Sequence, residues 1–213
     1  MRTSLVLRAS GIGACLAGIL VILFGGVATP ESFRIVNGIV LNLLVLGVAW
    51  LLLAPNAKAL RVAFMIGVFT MVLDFLLETA AVHLHWWYPL GGTQLPPLVV
   101  VPLEMVVGFL IMGTATGIVL AFPQRIRETT LTPLDRLKAP FANPNRDWTW
   151  RLAFVLVVAL VGTHGDYTAG PDIWAPGAHW HPAFTFFVWS GCGLAIIALY
   201  CYLQRDSSNK TRS

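Results

Sequence analysis

Apolar runs long enough to cross a bilayer follow one another along this chain, separated by short breaks rich in proline, glycine or charge. A transmembrane helix needs about 17–25 predominantly apolar residues. Runs of that kind fall at about 9–28, 36–54, 59–82, 98–122, 149–167 and 183–203. The pattern predicts an all-α fold, a polytopic membrane bundle of about six helices in which residues 1–213 form a single transmembrane domain. Only the connection 123–148 has room for structure of its own, and Thr132 and Pro133 carry the start signals of a short helix over TPLDRLKAPF.

Composition agrees with the pattern. Hydrophobic residues make up 57% of the chain and charged ones 11%, against about a quarter charged in soluble domains, and no separate soluble catalytic domain remains. Cytoplasmic loops retain Lys and Arg. Placing the N-terminus inside puts every one of the 14 basic residues except Arg34 on the cytoplasmic side. The expected setting is the inner membrane, with both termini and the 123–148 loop in the cytoplasm. The net charge of +4 then follows from topology and calls for no nucleic acid. The first run also admits a reading as a cleaved signal peptide, although it is long for an h-region of about 7–15 residues. Cys15, Cys192 and Cys201 fall inside predicted spans and read as small apolar residues. No CxxC, GxGxxG, P-loop or HExxH pattern occurs, which removes the common soluble cofactor and nucleotide classes.

Three carboxylates interrupt the apolar runs: Asp74 and Glu78 in the third and Glu104 in the fourth. An ionisable side chain in hydrocarbon costs about 2.5–3.5 kcal/mol on insertion scales and marks a functional site by default. Asp74 and Glu78 are one turn apart and share a helix face. At 1.5 Å per residue, Glu78 and Glu104 lie roughly 8–9 Å from the outer boundary and Asp74 roughly 13 Å. If the third and fourth helices are antiparallel neighbours, all three can face one cavity in the outer half of the bilayer. Pro102 tends to kink the fourth helix beside Glu104 and to free carbonyls there. Carboxyls crowded together in a low dielectric do not all ionise, which sets a neutral acid beside a carboxylate, the arrangement of general acid–base chemistry. The plainer alternative is that each carboxyl hydrogen-bonds a neighbouring helix.

The outer ends collect the remaining polar and aromatic residues. His83, His85, His164, His179 and His181 lie there with Asp166, Asp172, Trp86, Trp87, Tyr88, Trp174 and Trp180. His83-x-His85, His164-x-Asp166 and His179-x-His181 have the spacing of metal-ligand pairs on extended segments, and the aromatics also fit an interfacial belt. No metal is favoured, and no cofactor is called for. A faint internal repeat relates LDFLLETAAVHLHWWYPLGG with VPLEMVVGFL to GTHGDYTAGPDIWAPGAHW with HPAFTFFVW, where Phe184 or Thr185 stands in place of Glu104.

The series Asp74, then Trp86 or Trp87 with Tyr88, then Leu90-Gly91-Gly92, then Pro102-Leu103-Glu104 resembles the membrane lycopene cyclases of the fused or heterodimeric type and the related carotenoid hydratases. The resemblance covers about residues 70–115, and the family's second Glu is Met105 here. It implies redox-neutral cyclisation or hydration of a lipid-phase polyprenyl substrate through a carbocation, without flavin, nicotinamide or metal. Glu104 would be the general acid and Glu78 or Asp74 its partner. Trp86, Trp87 and Tyr88, with Pro102, Trp174 and Trp180, would line the substrate site. Small membrane terpene cyclases are a neighbouring class. Two others stay open: a metal-dependent membrane oxidase or its subunit, using the outer His and Asp residues, and a transporter or accessory subunit of a membrane complex, homo- or hetero-oligomeric. Below Asp74, however, only Thr70, Thr114 and Thr116 supply a polar path inward.

Overall fold

The computed structural model describes residues 2–25, 35–89, 101–128, 138–143 and 147–209. Helices dominate. Helix α1 is Arg2–Gly25, and a π-helical stretch Ile35–Leu41 runs into α2, Asn42–Leu53. Helix α3 is Ala57–His83, α4 Leu103–Leu120 and α5 Phe122–Glu128, followed by a 3-10 turn Ala139–Phe141. Helices α6, Asp147–Ile173, and α7, Pro182–Asn209, complete the set. Each apolar run in the sequence is helical over most of its length. Among the described residues, three helices are long and apolar enough to cross a membrane: α3, α4 and the part of α7 from Pro182 to Arg205. Helices α1 and α2 carry the shorter apolar stretches Val6–Ile22 and Gly38–Leu53. Of the TPLDRLKAPF segment, only the turn Ala139–Phe141 and the Lys138 before it lie within the described residues.

Among the described residues, a departure from helix sits at one end of the bundle. Trp87–Pro89 (β1) pairs antiparallel with Trp174–Pro176 (β2), in the register Trp87 opposite Pro176, Tyr88 opposite Ala175 and Pro89 opposite Trp174. Both segments read Trp-x-Pro, and a residue before proline is driven to extended backbone, so each is extended before it finds its partner. The pairing joins the same end of two helical hairpins, α3–β1–α4 and α6–β2–α7, and gives the internal repeat a structural counterpart.

Within the first hairpin, α3 and α4 form the most extensively packed helix pair among the described residues. Their seam is built from small residues: a methyl group added at Gly117 would lie 2.5 Å from the Ala63 Cα, and one at Gly113 2.6 Å from the Thr70 side chain. Interfaces of small residues let two backbones approach closely and gain dispersion contact where no hydrophobic effect is on offer. The second hairpin is the packed pair α6 and α7, and α3 also packs on α7.

The opposite end of the bundle is closed. Val62, Ile66, Leu120, Val155, Ile196 and Tyr200 form a core cluster shared by α3, α4, α6 and α7. Arg125 donates to the carbonyl of Ala54 at 2.7 Å, satisfying the C-terminus of α2. Arg127 makes a two-pronged ion pair with Asp147 at 2.7 and 2.9 Å and donates to the Phe141 carbonyl. The hydrogen bond to Asp147 outweighs desolvation and holds the guanidinium above its usual range. Arg151 lies over the rings of Trp148 and Tyr200, 5.1 and 5.7 Å from their centroids. Basic residues are thereby tied into the end away from β1 and β2.

Candidate functional site

Between the closed core and the strand pair lies a cavity of about 250 Å³. Helix α3 supplies its polar wall through Thr70, Asp74 and Glu78, spaced one helical turn apart, and α4 adds Phe109, Met112 and Thr116. Helix α6 contributes Phe154, Val157, Val158, Val161 and Gly162, and α7 contributes Thr185, Val188, Trp189, Cys192 and Ile196. Asp74 and Glu78 are both buried, at 8% and 9% exposure. Counted back from the end of α3 at His83, they lie about 13 and 8 Å below it. The Thr70 hydroxyl donates to the Ile66 carbonyl of its own helix, leaving the two carboxyls as the strongest polar groups of the wall.

The β1–β2 end of the bundle closes the cavity over Glu78. Helix α3 ends with the Trp86 amide bonded to the Ala81 carbonyl and the His85 amide to that of Val82, the paired bonds of a Schellman ending, which requires a left-handed residue between them. That residue is His85, with φ of 58°, where glycine would avoid a cost of roughly 1–2 kcal/mol. Its surroundings hold it there: the ring Nδ1 shares a hydrogen bond with the Tyr88 hydroxyl, and its carbonyl accepts the His179 amide. The reversal brings β1 back over the cavity, and Trp87 Nε1 donates to Glu78 Oε2 at 2.6 Å. Trp87→Phe keeps the ring and removes this donor to a buried carboxyl. It is expected to destabilise the fold by about 1.5–3 kcal/mol, read as a lowered thermal midpoint of the purified protein; an unchanged midpoint would show the bond to be dispensable.

The sequence expectation of one cavity for three carboxyls holds for two of them. Glu104 is buried at 8% exposure but is not part of the cavity lining. Successive helical residues turn by about 100°, which sets Glu104 about 40° from Gly108 and about 80–140° from Phe109, Met112 and Thr116. Gly108 is the point where α4 meets the backbone of Gly38, with no room for a side chain. Glu104 therefore belongs to the α4 face that carries this crossing. It stands second in the helix after the cap Pro102, where unpaired amides and the helix dipole favour an anion.

The aromatic and histidine expectations divide in the same way. Trp87 lines the cavity. Trp86 instead packs edge-on against Phe184, with centroids 4.4 Å apart, because the turn at His85 points it away from α3. Tyr88 is exposed and bound to His85, and Pro102 is fully buried at the start of α4. Neither Trp86, Tyr88, Pro102 nor Trp180 belongs to the lining. The side chains of Trp174, Asp166 and Asp172 lie outside the described residues, although the Trp174 backbone forms β2. His83 donates to the Thr79 carbonyl at 2.7 Å, and His181 Nδ1 accepts the Ala183 amide at the start of α7. His164 and His179 are exposed. Among the described residues no group of three His, Cys, Asp or Glu side chains is arranged to hold a metal ion.

Three lining aromatics are absent from the sequence reading, Phe154, Phe109 and Trp189. The rings of the last two stack at 6.1 Å with planes 20° apart. Gly162 permits this placement, since a methyl group there would lie 2.5 Å from the indole of Trp189. The repeat could have found Phe109 and Trp189. Aligning Pro102 with Pro182 carries Phe109, Met112 and Thr116 onto Trp189, Cys192 and Ile196, and all six residues line the cavity. Aligning the two Trp-x-Pro segments carries Thr70 and Asp74 onto Val157 and Val161, which line it as well. The cavity is thus walled by corresponding positions of the two hairpins, with acidic groups on one side only.

No family model, no curated protein and no solved structure matches the chain.

Proposed function

We propose that this chain is an integral membrane enzyme that carries out proton-initiated, redox-neutral chemistry on the end group of a polyprenyl substrate, a cyclisation of the lycopene-cyclase kind or the corresponding hydration. The observation that supports this most is the pairing of two buried carboxyls, Asp74 and Glu78, with aromatic walls in an otherwise apolar cavity. Protonating an isolated alkene needs a neutral acid away from bulk water. The cation that forms needs aromatic faces, each contact being worth about 0.5–2 kcal/mol. In this reading Asp74 gives its proton to a terminal alkene carbon and leaves a tertiary carbocation. A neighbouring double bond attacks the cation and Glu78 removes a proton from the ring, or one water adds and Glu78 takes its proton. Glu78 suits the accepting part because Trp87 already donates to it. Glu104, the acid that the resemblance implies, has a positioning part at the start of α4.

The cavity's size favours an end group over a whole long chain, being below the about 300–1,000 Å³ of sites that enclose drug-sized ligands. The remainder of the substrate has a way out. Val157 and Val161 line the cavity and are also 56% and 65% exposed on the apolar outer surface of α6. Helix α6 packs chiefly on α7, so the side of the cavity between α6 and α3 is where a lipid-phase chain would pass.

In the full topology six helices cross the inner membrane with both termini in the cytoplasm. Reporter fusions near residues 56 and 135 and at the C-terminus are expected inside, and fusions at 92 and 175 outside. A cytoplasmic signal at 92 would invert the map. The activity itself is tested by expressing the full chain in a lycopene-accumulating host and separating the pigments. Conversion to a cyclised or hydroxylated product is expected, the product identifying cyclase or hydratase; unchanged lycopene and other acyclic polyprenyl precursors would count against the reading.

A further inference from the structure

Besides its carboxyls the cavity has a polar group of another kind, the hydroxyl of Thr185 on α7, which lines it together with Glu78 and Trp87 and is 1% exposed. A threonine or serine hydroxyl inside a helix commonly donates to the carbonyl one turn back. Thr70, Thr79, Thr114 and Ser190 do so at 2.7–2.8 Å. From Thr185 the corresponding contact, to the His181 carbonyl, is 3.5 Å long, and that oxygen already accepts the Phe184 and Thr185 amides. A bond of that length is weak, so packing holds this hydroxyl in place and its capacity to donate and accept is largely kept for another oxygen. Glu78 lies at the same end of the cavity. Helix α3 leads into β1 and β2 leads into α7, and at 1.5 Å per residue Glu78 and Thr185 are about 8 and 5 Å from the helix ends that meet the strand pair. A carboxyl accepts at several sites when ionised and donates when protonated. In either state Glu78 can bond one more oxygen while Trp87 donates to it.

We propose that Thr185 and Glu78 form an oxygen site beneath the strand pair, which takes the hydroxyl of an apolar, branched chain ending in a tertiary alcohol, or a single water before that alcohol is formed. A hydrocarbon end would leave a buried hydroxyl facing carbon, and an unmet buried donor is costly. An alcohol meets it, with its skeleton against Trp189 and Leu77. A buried water needs about 2–4 polar partners, of which Thr185 and Glu78 supply two. In the enzymatic reading, on which this step alone rests, the water held here is the nucleophile: its oxygen forms the C–O bond to the carbocation made by Asp74 one turn deeper, and its proton passes to Glu78. Hydration, and not cyclisation, is then the reaction that the site favours. Binding of the alcohol requires no turnover.

The test uses the full chain in detergent with Cys15→Ser and Cys201→Ser, which leaves Cys192 in the cavity lining as the only thiol. Tetrahydromyrcenol, a saturated branched chain ending in a tertiary alcohol, is compared with its parent hydrocarbon, concentrations being counted in the micelle phase. Each is scored by slowed alkylation of Cys192 with a small thiol reagent. The alcohol is expected to protect saturably and about ten-fold more tightly than the hydrocarbon, the effect of two neutral hydrogen bonds. Thr185→Val, which keeps the shape and removes the hydroxyl, should erase most of that preference, and Thr185→Ser should retain it, a rescue that a packing role would not give. Equal protection by alcohol and hydrocarbon before any change at Thr185 would overturn the proposal even if the Thr185 variants fail to accumulate, and so would a preference that survives Thr185→Val. Alcohol preference without conversion of polyprenyl substrates would sink the enzymatic reading alone, and conversion to a cyclised product without alcohol preference would sink this site alone.

Discussion

Gly117→Leu is expected to prevent accumulation of folded protein. The first side-chain carbon alone would sit 2.5 Å from the Ala63 Cα and 3.0 Å from its Cβ, and the contact is backbone against backbone, which no rotamer change relieves. Overpacking a core costs about 1–3 kcal/mol where side chains can yield, and here they cannot. Helices α3 and α4 would have to separate along a seam that also holds Gly67, Gly113 and Thr114 in mutual contact. Since a domain's whole stability is about 5–15 kcal/mol, loss of that seam consumes a large share of it. Gly13→Leu is the control. Gly13 is exposed on α1 with nothing within 4 Å of an added methyl group, so this change should leave yield and melting unaltered. The comparison is read by monodisperse yield in size-exclusion chromatography and by thermal midpoint; equal behaviour of the two variants would refute the close-packed seam.

The same seam shows which parts of the molecule were open to sequence reasoning. Long apolar runs report helices directly, because a helix that is apolar all round satisfies its own backbone, and the boundaries at Ala57, His83 and Pro182 fall within a few residues of those expected. Asp74 and Glu78 were legible for the converse reason, as charges in a place where charge is expensive. Glu104 looked equivalent to them in depth, but depth says nothing of direction. Its orientation depends on which face of α4 meets α3, and that is decided by Gly113 and Gly117, residues that carry no polar signal. Trp189 was hidden for a similar reason. A tryptophan inside FTFFVWSG differs little from its apolar neighbours, and its part in the cavity emerges only when Gly162 of another helix is brought beneath it. The strand pair escaped because two Trp-x-Pro segments of three residues each are too short to alternate, and their partnership spans most of the second half of the chain. The repeat linked these features weakly in sequence because its halves differ at the positions that carry charge.

Asp74→Asn is expected to abolish turnover of a polyprenyl substrate while leaving folded protein in the membrane. Asparagine keeps the size of the side chain and its hydrogen-bonding capacity but has no proton to give to an alkene. General acid–base groups contribute about 10²–10⁴-fold to rate, so a fall of at least 100-fold at equal expression is the expected outcome. Glu78→Gln should lower turnover as well, since its amide oxygen can still accept from Trp87 but no longer takes a proton from the cation. Glu104→Gln separates the geometric assignment from the one the family resemblance implies. With Glu104 turned to the Gly38 crossing and placed in the first turn of α4, its replacement should lower the thermal midpoint and leave turnover per folded molecule within a few-fold of normal. Full turnover in Asp74→Asn would remove the cavity as the reacting site. Abolished turnover in Glu104→Gln at unchanged stability would return the acid to the start of α4, with the substrate approaching from the side of Pro102 and not from the side between α3 and α6.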